Sequence, residues 1–307
     1  MTVRAPMSSV SAASTPSRAL VAALSGMLAL GSSLGIGRFV YTPILPAMAA
    51  ALGMSAGEAG LIASANFAGY LAGGIVAMAP RLPGGRRAWF VGGLSVGAAT
   101  TTAMGLVEGL PAFLLLRFLG GASSAFVLVL GTGSVLDALA RSGRSSLRWI
   151  HYAGVGLGIA TSAVAVSALE AMGASWRALW LAAGLTAAAM LVAPALILRW
   201  REARAAGPAL SVRPGAGVLP LAVCHGLFGF GYVVTATFLV AMARQSASAR
   251  AIEPLLWVTV GLSAFPSLLV WDRIARGRET KRRKPHERRP EQSRGDQQAG
   301  RRLPASA

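Results

Sequence analysis

Eight apolar segments, each long enough to cross a bilayer as a helix, constrain this sequence more than any other feature. A bilayer core is spanned by about 20 apolar residues in helical form. The segments are residues 19–40, 59–79, 89–107, 112–136, 150–169, 178–198, 217–242 and 254–271. Because the backbone must satisfy its own hydrogen bonds in lipid, we predict an all-α polytopic membrane protein with about eight transmembrane helices.

The charge distribution agrees with a membrane protein. Only 13% of the residues are charged, against roughly 25% in soluble domains, and the net charge is +18. If the N-terminus is cytoplasmic, 14 arginines of residues 1–276 fall in cytoplasmic segments and 3 in external ones. Since cytoplasmic loops carry an excess of Lys and Arg, we predict a bacterial-type inner-membrane protein with both termini in the cytoplasm.

The longest polar interruption divides the helices into a group of six and a group of two. It runs from Arg199 to Gly217 and contains helix-breaking Gly-Pro and Pro-Gly pairs. We therefore predict a cytoplasmic N-terminal segment, a six-helix transmembrane half, a cytoplasmic central loop, a partial second half of two helices, and a basic, disordered tail. Their predicted bounds are residues 1–18, 19–198, 199–216, 217–272 and 273–307.

The sequence lacks motifs for enzymatic chemistry. Its single cysteine, Cys224, excludes an intramolecular disulfide and a cysteine zinc cage. Glycine strings at 131–133 and 154–158 lack the spacing of nucleotide-binding loops. We interpret them, together with the string at 69–74, as sites where helices approach closely. We expect no catalysis, cofactor, metal or nucleic-acid binding; the expected partners are a small-molecule solute and the lipid bilayer.

Three segments resemble one superfamily of transporters. Residues 115–122, LLRFLGGA, resemble the arginine-containing fourth-helix motif of the major facilitator superfamily. Residues 35–48, GIGRFVYTPILPAM, are similar to the first-helix signature of its YbfB/YjiJ branch. Residues 229–244, GFGYVVTATFLVAMAR, are similar to the seventh helix of that branch. The resemblance covers about residues 19–276.

This resemblance implies secondary active transport of a small solute. Two six-helix halves would rock around a site near the bilayer midplane, which is alternating access. In the resembled fold, the first, fourth and seventh helices line the central cavity. We expect coupling to an ion gradient, with the proton as the favoured ion.

Two departures from the family pattern bear on activity. Pro80 stands where the loop after the second helix would carry an acid, so an ion pair built on that acid is in doubt. The family has twelve helices, whereas eight apolar segments occur here. Both lysines, Lys281 and Lys284, follow residue 277, which predicts a C-terminally truncated chain continued by foreign sequence. The alternative function is a truncated or split, non-transporting membrane fragment that needs a complementary chain to supply the missing helices.

Two arginines within the apolar segments are the main candidates for substrate binding. Charged groups at membrane depth usually face protein or water, and a guanidinium fork suits a carboxylate or phosphate. Arg117 lies in the fourth segment and Arg38 near the predicted outer end of the first. The resemblance lets both point into the central cavity, as an anion clamp. Alternatively, Arg117 binds backbone carbonyls and Arg38 extends to the outer interface.

Polar and aromatic residues on the cavity-lining helices extend the predicted site. Asn66 and Tyr70, four residues apart, share a helix face, and Asn66 is assigned to substrate binding. Tyr41 and Tyr232 are the aromatic candidates. The open alternative is a packing role for Asn66 and Tyr70, and a position at the membrane interface for Tyr41 and Tyr232.

Proton coupling requires a titratable group, and two residues are assigned to it. His225 precedes a glycine-rich part of the seventh segment, and Asp137 lies near the inner end of the fourth. The alternatives are a packing role for His225 and a surface ion pair of Asp137 with Arg141, one turn later. His151 starts the fifth segment and is expected to be interfacial.

Overall fold

The computed structural model describes residues 16–198, 217–245 and 252–283. Most of the predicted N-terminal segment, the whole central loop 199–216 and the tail beyond residue 283 lie outside these ranges. All the regular elements of the described chain are helices, which confirms the all-helical architecture, and each predicted apolar segment contains helical structure. Helix α2, Tyr41–Leu52, was not among the predicted segments. The α-helices are α1 Pro16–Leu30, α2 Tyr41–Leu52, α3 Ala56–Ala77, α4 Gly85–Ala103, α5 Leu110–Phe126, α6 Thr132–Arg141, α7 Arg148–Ala171, α8 Trp176–Ile197, α9 Val218–Gln245 and α10 Glu253–Arg283.

Within the described residues, six helical stretches are long and apolar enough to cross a membrane. They are Arg18–Leu52, Ala56–Ala77, Leu110–Arg141, Ser145–Ala171, Trp176–Ile197 and Leu255–Ile274. The two other predicted segments, residues 89–107 and 217–242, coincide with helices α4 and α9. The chain is therefore a polytopic, multi-pass membrane protein.

The first membrane-spanning stretch is longer than the sequence predicted. A π-helical segment, Gly31–Ile36, and a turn at residues 37–40 connect α1 to α2, so that helical structure continues from residue 40 to Leu52. The prediction that Arg38 lies near an outer helix end is therefore wrong. Fourteen residues follow it before α2 ends at Leu52, about 20 Å at 1.5 Å per residue.

Glycines set the spacing between neighbouring helices. Gly69 and Gly121 lie where α3 crosses α5. A Cβ on Gly69 would overlap the Phe118 carbonyl of α5, and a Cβ on Gly121 would overlap the Asn66 carbonyl of α3. In the same way, a Cβ on Gly35 would lie 2.6 Å from the Cα of Gly158 in α7. These contacts confirm the packing interpretation for Gly69 and Gly158. It is wrong for Gly74 and Gly133, where a Cβ would meet no atom within 4 Å.

Helix ends carry the expected local signals. Ser55 caps α3: its hydroxyl accepts the Glu58 N–H at 3.2 Å, while the Glu58 carboxylate accepts the Ser55 N–H at 2.9 Å. Gly53, with φ of 62°, ends α2 in the left-handed region that glycine tolerates. The tight α2–α3 connection positions both helices beside the cavity described below.

The described chain divides into two compact units at Pro266, inside α10. The first unit contains α1 to α9 and the start of α10. In the second unit, the helix continues from Pro266 to Arg283. Residues 273–283, for which we expected disorder, are therefore helical.

Candidate functional site

A small cavity forms where the first membrane-spanning stretch is interrupted. We call it the arginine cavity, and its volume is about 10 Å³, close to the space of one water molecule. Its lining residues are Arg38, Phe39, Tyr41, Thr42, Ala63, Asn66, Phe67, Arg117 and Thr237. They come from the turn at 37–40 and from α2, α3, α5 and α9. The cavity therefore has room for about one water molecule beside the side chains of Arg38 and Arg117.

Arg117 is held by the main chain of the interrupted stretch. Its side chain is 5% exposed, and its two terminal nitrogens donate to the carbonyls of Gly37 and Arg38, each at 3.0 Å. In a continuous α-helix the Arg38 carbonyl would accept the N–H of residue 42, but Thr42 donates to Phe39 instead, at 3.3 Å. Arg117 therefore supplies hydrogen-bond donors to two carbonyls that have no partner within the turn. In a membrane, water is not available to bond them instead.

Arg38 lies in an aromatic cage. Its guanidinium carbon is 4.3 Å from the ring centroids of both Phe67 and Tyr70 and 5.6 Å from that of Phe39. Phe67 and Tyr70 are three residues apart on α3, so they share one face of that helix. Cation–π attraction orients the guanidinium without neutralising its charge.

The two arginines retain unused hydrogen-bond donors. The Nε atoms of Arg38 and Arg117 are both buried without an acceptor, and the Asn66 Oδ1 is buried without a donor. Within residues 16–198, 217–245 and 252–283, neither arginine forms an ion pair with a carboxylate. The cavity therefore holds two positive charges that the described chain does not neutralise.

Comparison with protein families identifies the scaffold that holds this cavity. The family described as "Uncharacterised MFS-type transporter YbfB" matches residues 30–284. The chain belongs to this family. It is a membrane transporter of the major facilitator superfamily. No curated protein matches it. The match and α10 both extend beyond residue 277, so the predicted change of sequence character at that point is placed too early.

In this YbfB-type transporter, Asn66 and Tyr41 lie in the arginine cavity, as predicted, but their polar atoms are largely used in packing. The Asn66 amide nitrogen donates to the Arg117 carbonyl at 3.0 Å. The Tyr41 hydroxyl donates to the Ala59 carbonyl at 2.9 Å, which joins α2 to α3. Both residues fix the positions of the arginines, and Asn66 keeps its oxygen available.

Tyr232 lies beside the cavity of the transporter. Its ring meets the edge of the Phe39 ring at 6.4 Å and stacks on Phe228 at 6.1 Å. Phe39 lines the cavity, so Tyr232 contacts the site through one intervening side chain. The side chain of Tyr232 is 40% exposed.

The two residues assigned to proton coupling lie outside the arginine cavity. His225 is exposed on α9, with its ring 6.5 Å from that of Phe228. Asp137 is exposed on α6 and pairs with Arg141 at 2.5 Å, in the arrangement of the surface alternative. Twenty residues separate Asp137 from Arg117, about 30 Å along this helical stretch.

His151, which we expected at the cytoplasmic boundary, is fully buried between helices, at 0% exposure. Its Nε2 is 2.9 Å from the Thr132 hydroxyl, and its Nδ1 lies against Gly26, where a Cβ would overlap it. The imidazole thus lies between α1, α6 and α7 of the transporter. A signal for this burial is present in the sequence, because Gly26 leaves space for the ring on α1, and Gly154 lets the main chain of α1 approach α7.

Phe67 and Thr237 were missed by the sequence interpretation, although both line the cavity. Phe67 directly follows Asn66 and lies three residues before Tyr70, so the pairing of Arg38 with an aromatic face was detectable from the spacing on α3. Thr237 lies within the seventh-helix resemblance but carries no pattern that separates it from Thr235, two residues earlier.

Proposed function

We propose that this chain carries a small anionic solute across the membrane by alternating access, driven by a proton gradient. The observation that supports it is the pair of buried guanidinium groups with unused Nε donors and no carboxylate partner among the described residues. Buried charges are normally paired, and a bound carboxylate or phosphate supplies the missing charge and acceptors.

The two arginines have different roles in this proposal. Arg38 contacts the anion, because its guanidinium lies against ring faces, bonds no main-chain carbonyl and keeps its Nε donor unused. Arg117 is a positioning residue, because both of its terminal nitrogens bond the turn at 37–40. Since the cavity admits about one water molecule, the solute enters only when the helices around it separate. Alternating access provides that separation.

The orientation follows from the arginine distribution. With 14 arginines on one side and 3 on the other within residues 1–276, we infer an inner-membrane protein with cytoplasmic N- and C-termini. In this orientation, the turn at 37–40 lies in the outer half of the membrane-spanning stretch Arg18–Leu52, and His151 lies toward the cytoplasmic side.

Uptake into proteoliposomes tests the role of Arg38. We expect the full chain to accumulate at least one of labelled acetate, benzoate, succinate or inorganic phosphate against an imposed pH gradient. Arg38→Gln should lower that uptake about tenfold to a hundredfold, the value of one charge-assisted hydrogen bond or two. Arg144→Gln is the matched control, because Arg144 is exposed on a loop. Equal uptake by the two variants would contradict the proposed contact.

His151 is the residue that we assign to proton coupling, in place of the exposed His225 and the ion-paired Asp137. A buried imidazole between three helices changes charge within the moving part of the protein. His151→Gln should abolish accumulation driven by the pH gradient while exchange of labelled for unlabelled solute continues at about the normal rate. His225→Gln should leave both unchanged. Loss of exchange together with accumulation in His151→Gln would assign the residue to structure instead.

A further inference from the structure

An apolar groove runs between α4 and α5, away from the arginine cavity. Its volume is about 450 Å³, and it is open at the surface of the helix bundle. Pro83 and Trp89 line one end, and Val96 and Leu119 line the other. From Ala88 to Val96 the groove follows α4 for about 12 Å, which is less than half of a bilayer core of about 30 Å. The groove therefore fits within one leaflet.

The polar atoms along this groove are already satisfied. The Ser123 hydroxyl donates to the Gly120 carbonyl at 2.8 Å within α5. The Trp89 indole N–H donates to the Pro83 carbonyl at 2.8 Å, and its ring packs on Phe126 with centroids 4.8 Å apart. An occupant of the groove thus gains from apolar contact and finds no donor or acceptor there.

A positively charged residue lies on α4 one turn before Trp89, next to the residues that line the groove. Arg86 precedes Trp89 by three residues on α4, so it shares the face that lines the groove. Arg86 is exposed, and it forms no hydrogen bond or ion pair with any residue that the structure describes. Arg81 is a second exposed arginine on the same connection. The positive-inside distribution assigns this end to the cytoplasmic surface.

We propose that this groove binds one acyl chain of an anionic phospholipid from the cytoplasmic leaflet, with the lipid phosphate at Arg86. The site adds a binding function to transport and does not depend on the identity of the transported solute. A helix of another protein is not favoured, because the groove ends within one leaflet and its charged group lies at headgroup depth. An apolar groove that fits within one leaflet, with the exposed Arg86 one turn away on the same helix face, fits a phospholipid.

Quenching of Trp89 fluorescence by brominated lipids tests this site. The full chain and its Trp89→Phe variant are reconstituted in phosphatidylcholine vesicles that contain a fixed fraction of acyl-brominated phosphatidylglycerol or acyl-brominated phosphatidylcholine. The difference between the two proteins isolates Trp89 from the other tryptophans. We expect Trp89 to associate with the brominated anionic lipid about fivefold more strongly than with the zwitterionic one, as one arginine near a headgroup provides.

Two pairs of variants separate the charge from the groove. Arg86→Gln should abolish the preference for the anionic lipid, whereas Arg144→Gln, on another cytoplasmic loop, should leave it intact. Gly92→Phe fills the groove and should remove the quenching of Trp89 by either lipid. Gly74→Phe is its control, because a Cβ at Gly74 or at Gly92 meets no atom within 4 Å. Equal quenching by the two lipids, or a preference that survives Arg86→Gln, would overturn the proposal.

Discussion

Replacing Gly121 with valine is expected to eliminate folded protein or to lower its thermal stability severely. A Cβ at this position overlaps the Asn66 carbonyl and lies 2.9 Å from the Tyr70 nitrogen, both in the main chain of α3. A main chain within a packed helix cannot move aside as a side-chain tip can, so α3 and α5 must separate. Overpacking of this kind typically costs about 1–3 kcal/mol, and a backbone clash lies at the upper end.

The measurement is the amount of detergent-solubilised protein that remains in the monodisperse size-exclusion peak after heating to a series of temperatures, which gives a melting temperature. Gly133→Val is the matched control, because Gly133 lies in the same membrane-spanning stretch and a Cβ there meets nothing within 4 Å. We expect the control to melt within a few degrees of the parent, while Gly121→Val gives little or no folded peak. Similar melting of the two variants would show that the α3–α5 contact does not limit stability.

The contrast between these glycines marks the limit of what the sequence predicts about packing. The apolar segments locate most of the helices, and Gly69 and residues 154–158 were correctly interpreted as close-approach sites, whereas Gly74 and Gly133 were not. Their partners were not predictable, since Gly121 and Gly133 both occur in apolar helical sequence. Which glycine faces a neighbouring main chain depends on how α3 and α5 cross, and that is decided by all the contacts between the two helices.

The interruption of the first membrane-spanning stretch was also not predictable, because it depends on a contact between distant parts of the chain. Pro43 and Pro46 suggest that the helix ends, but Pro43 lies in the first turn of α2, where a missing N–H has no intrahelical acceptor. Proline at such a position starts a helix rather than ending one. The carbonyls freed at Gly37 and Arg38 are then satisfied by Arg117, about 80 residues later in the chain. No local sequence pattern predicts that these carbonyls bond a side chain so far away in the sequence.

Four of the residues that the sequence assigned to substrate binding line one cavity, but their contacts around it were not predicted. Arg38, Arg117, Asn66 and Tyr41 do come together around one cavity. The sequence treats the two arginines as equivalent members of an anion clamp, whereas the contacts separate them into one cation held by ring faces and one held by carbonyls. His151 was assigned to the interface because position along a helix indicates depth but not burial between helices.

Replacing Arg117 with methionine is expected to abolish transport and to lower the melting temperature, whereas Arg38→Met abolishes transport with little loss of stability. Each buried carbonyl that loses its donor costs about 1–3 kcal/mol, and Arg117→Met leaves those of Gly37 and Arg38 without one. Arg38 donates to none of these main-chain carbonyls, so its removal loses ring contacts, its polar interaction with Tyr70 and positive charge, but leaves no buried carbonyl without a donor. Uptake and thermal melting are measured on the same preparations.

Arg117→Lys distinguishes the geometry of the fork from its charge. One ammonium group keeps the charge but cannot reproduce the two parallel bonds of a planar guanidinium, so we expect intermediate melting and less than about a tenth of the parent uptake. Arg141→Met controls for the loss of an arginine, because its side chain is 44% exposed and pairs only at the surface with Asp137. If Arg117→Lys transported normally, charge alone would suffice, and the turn at 37–40 would be held by other contacts. If Arg38→Met melted as early as Arg117→Met, the division of roles between the two arginines would be wrong.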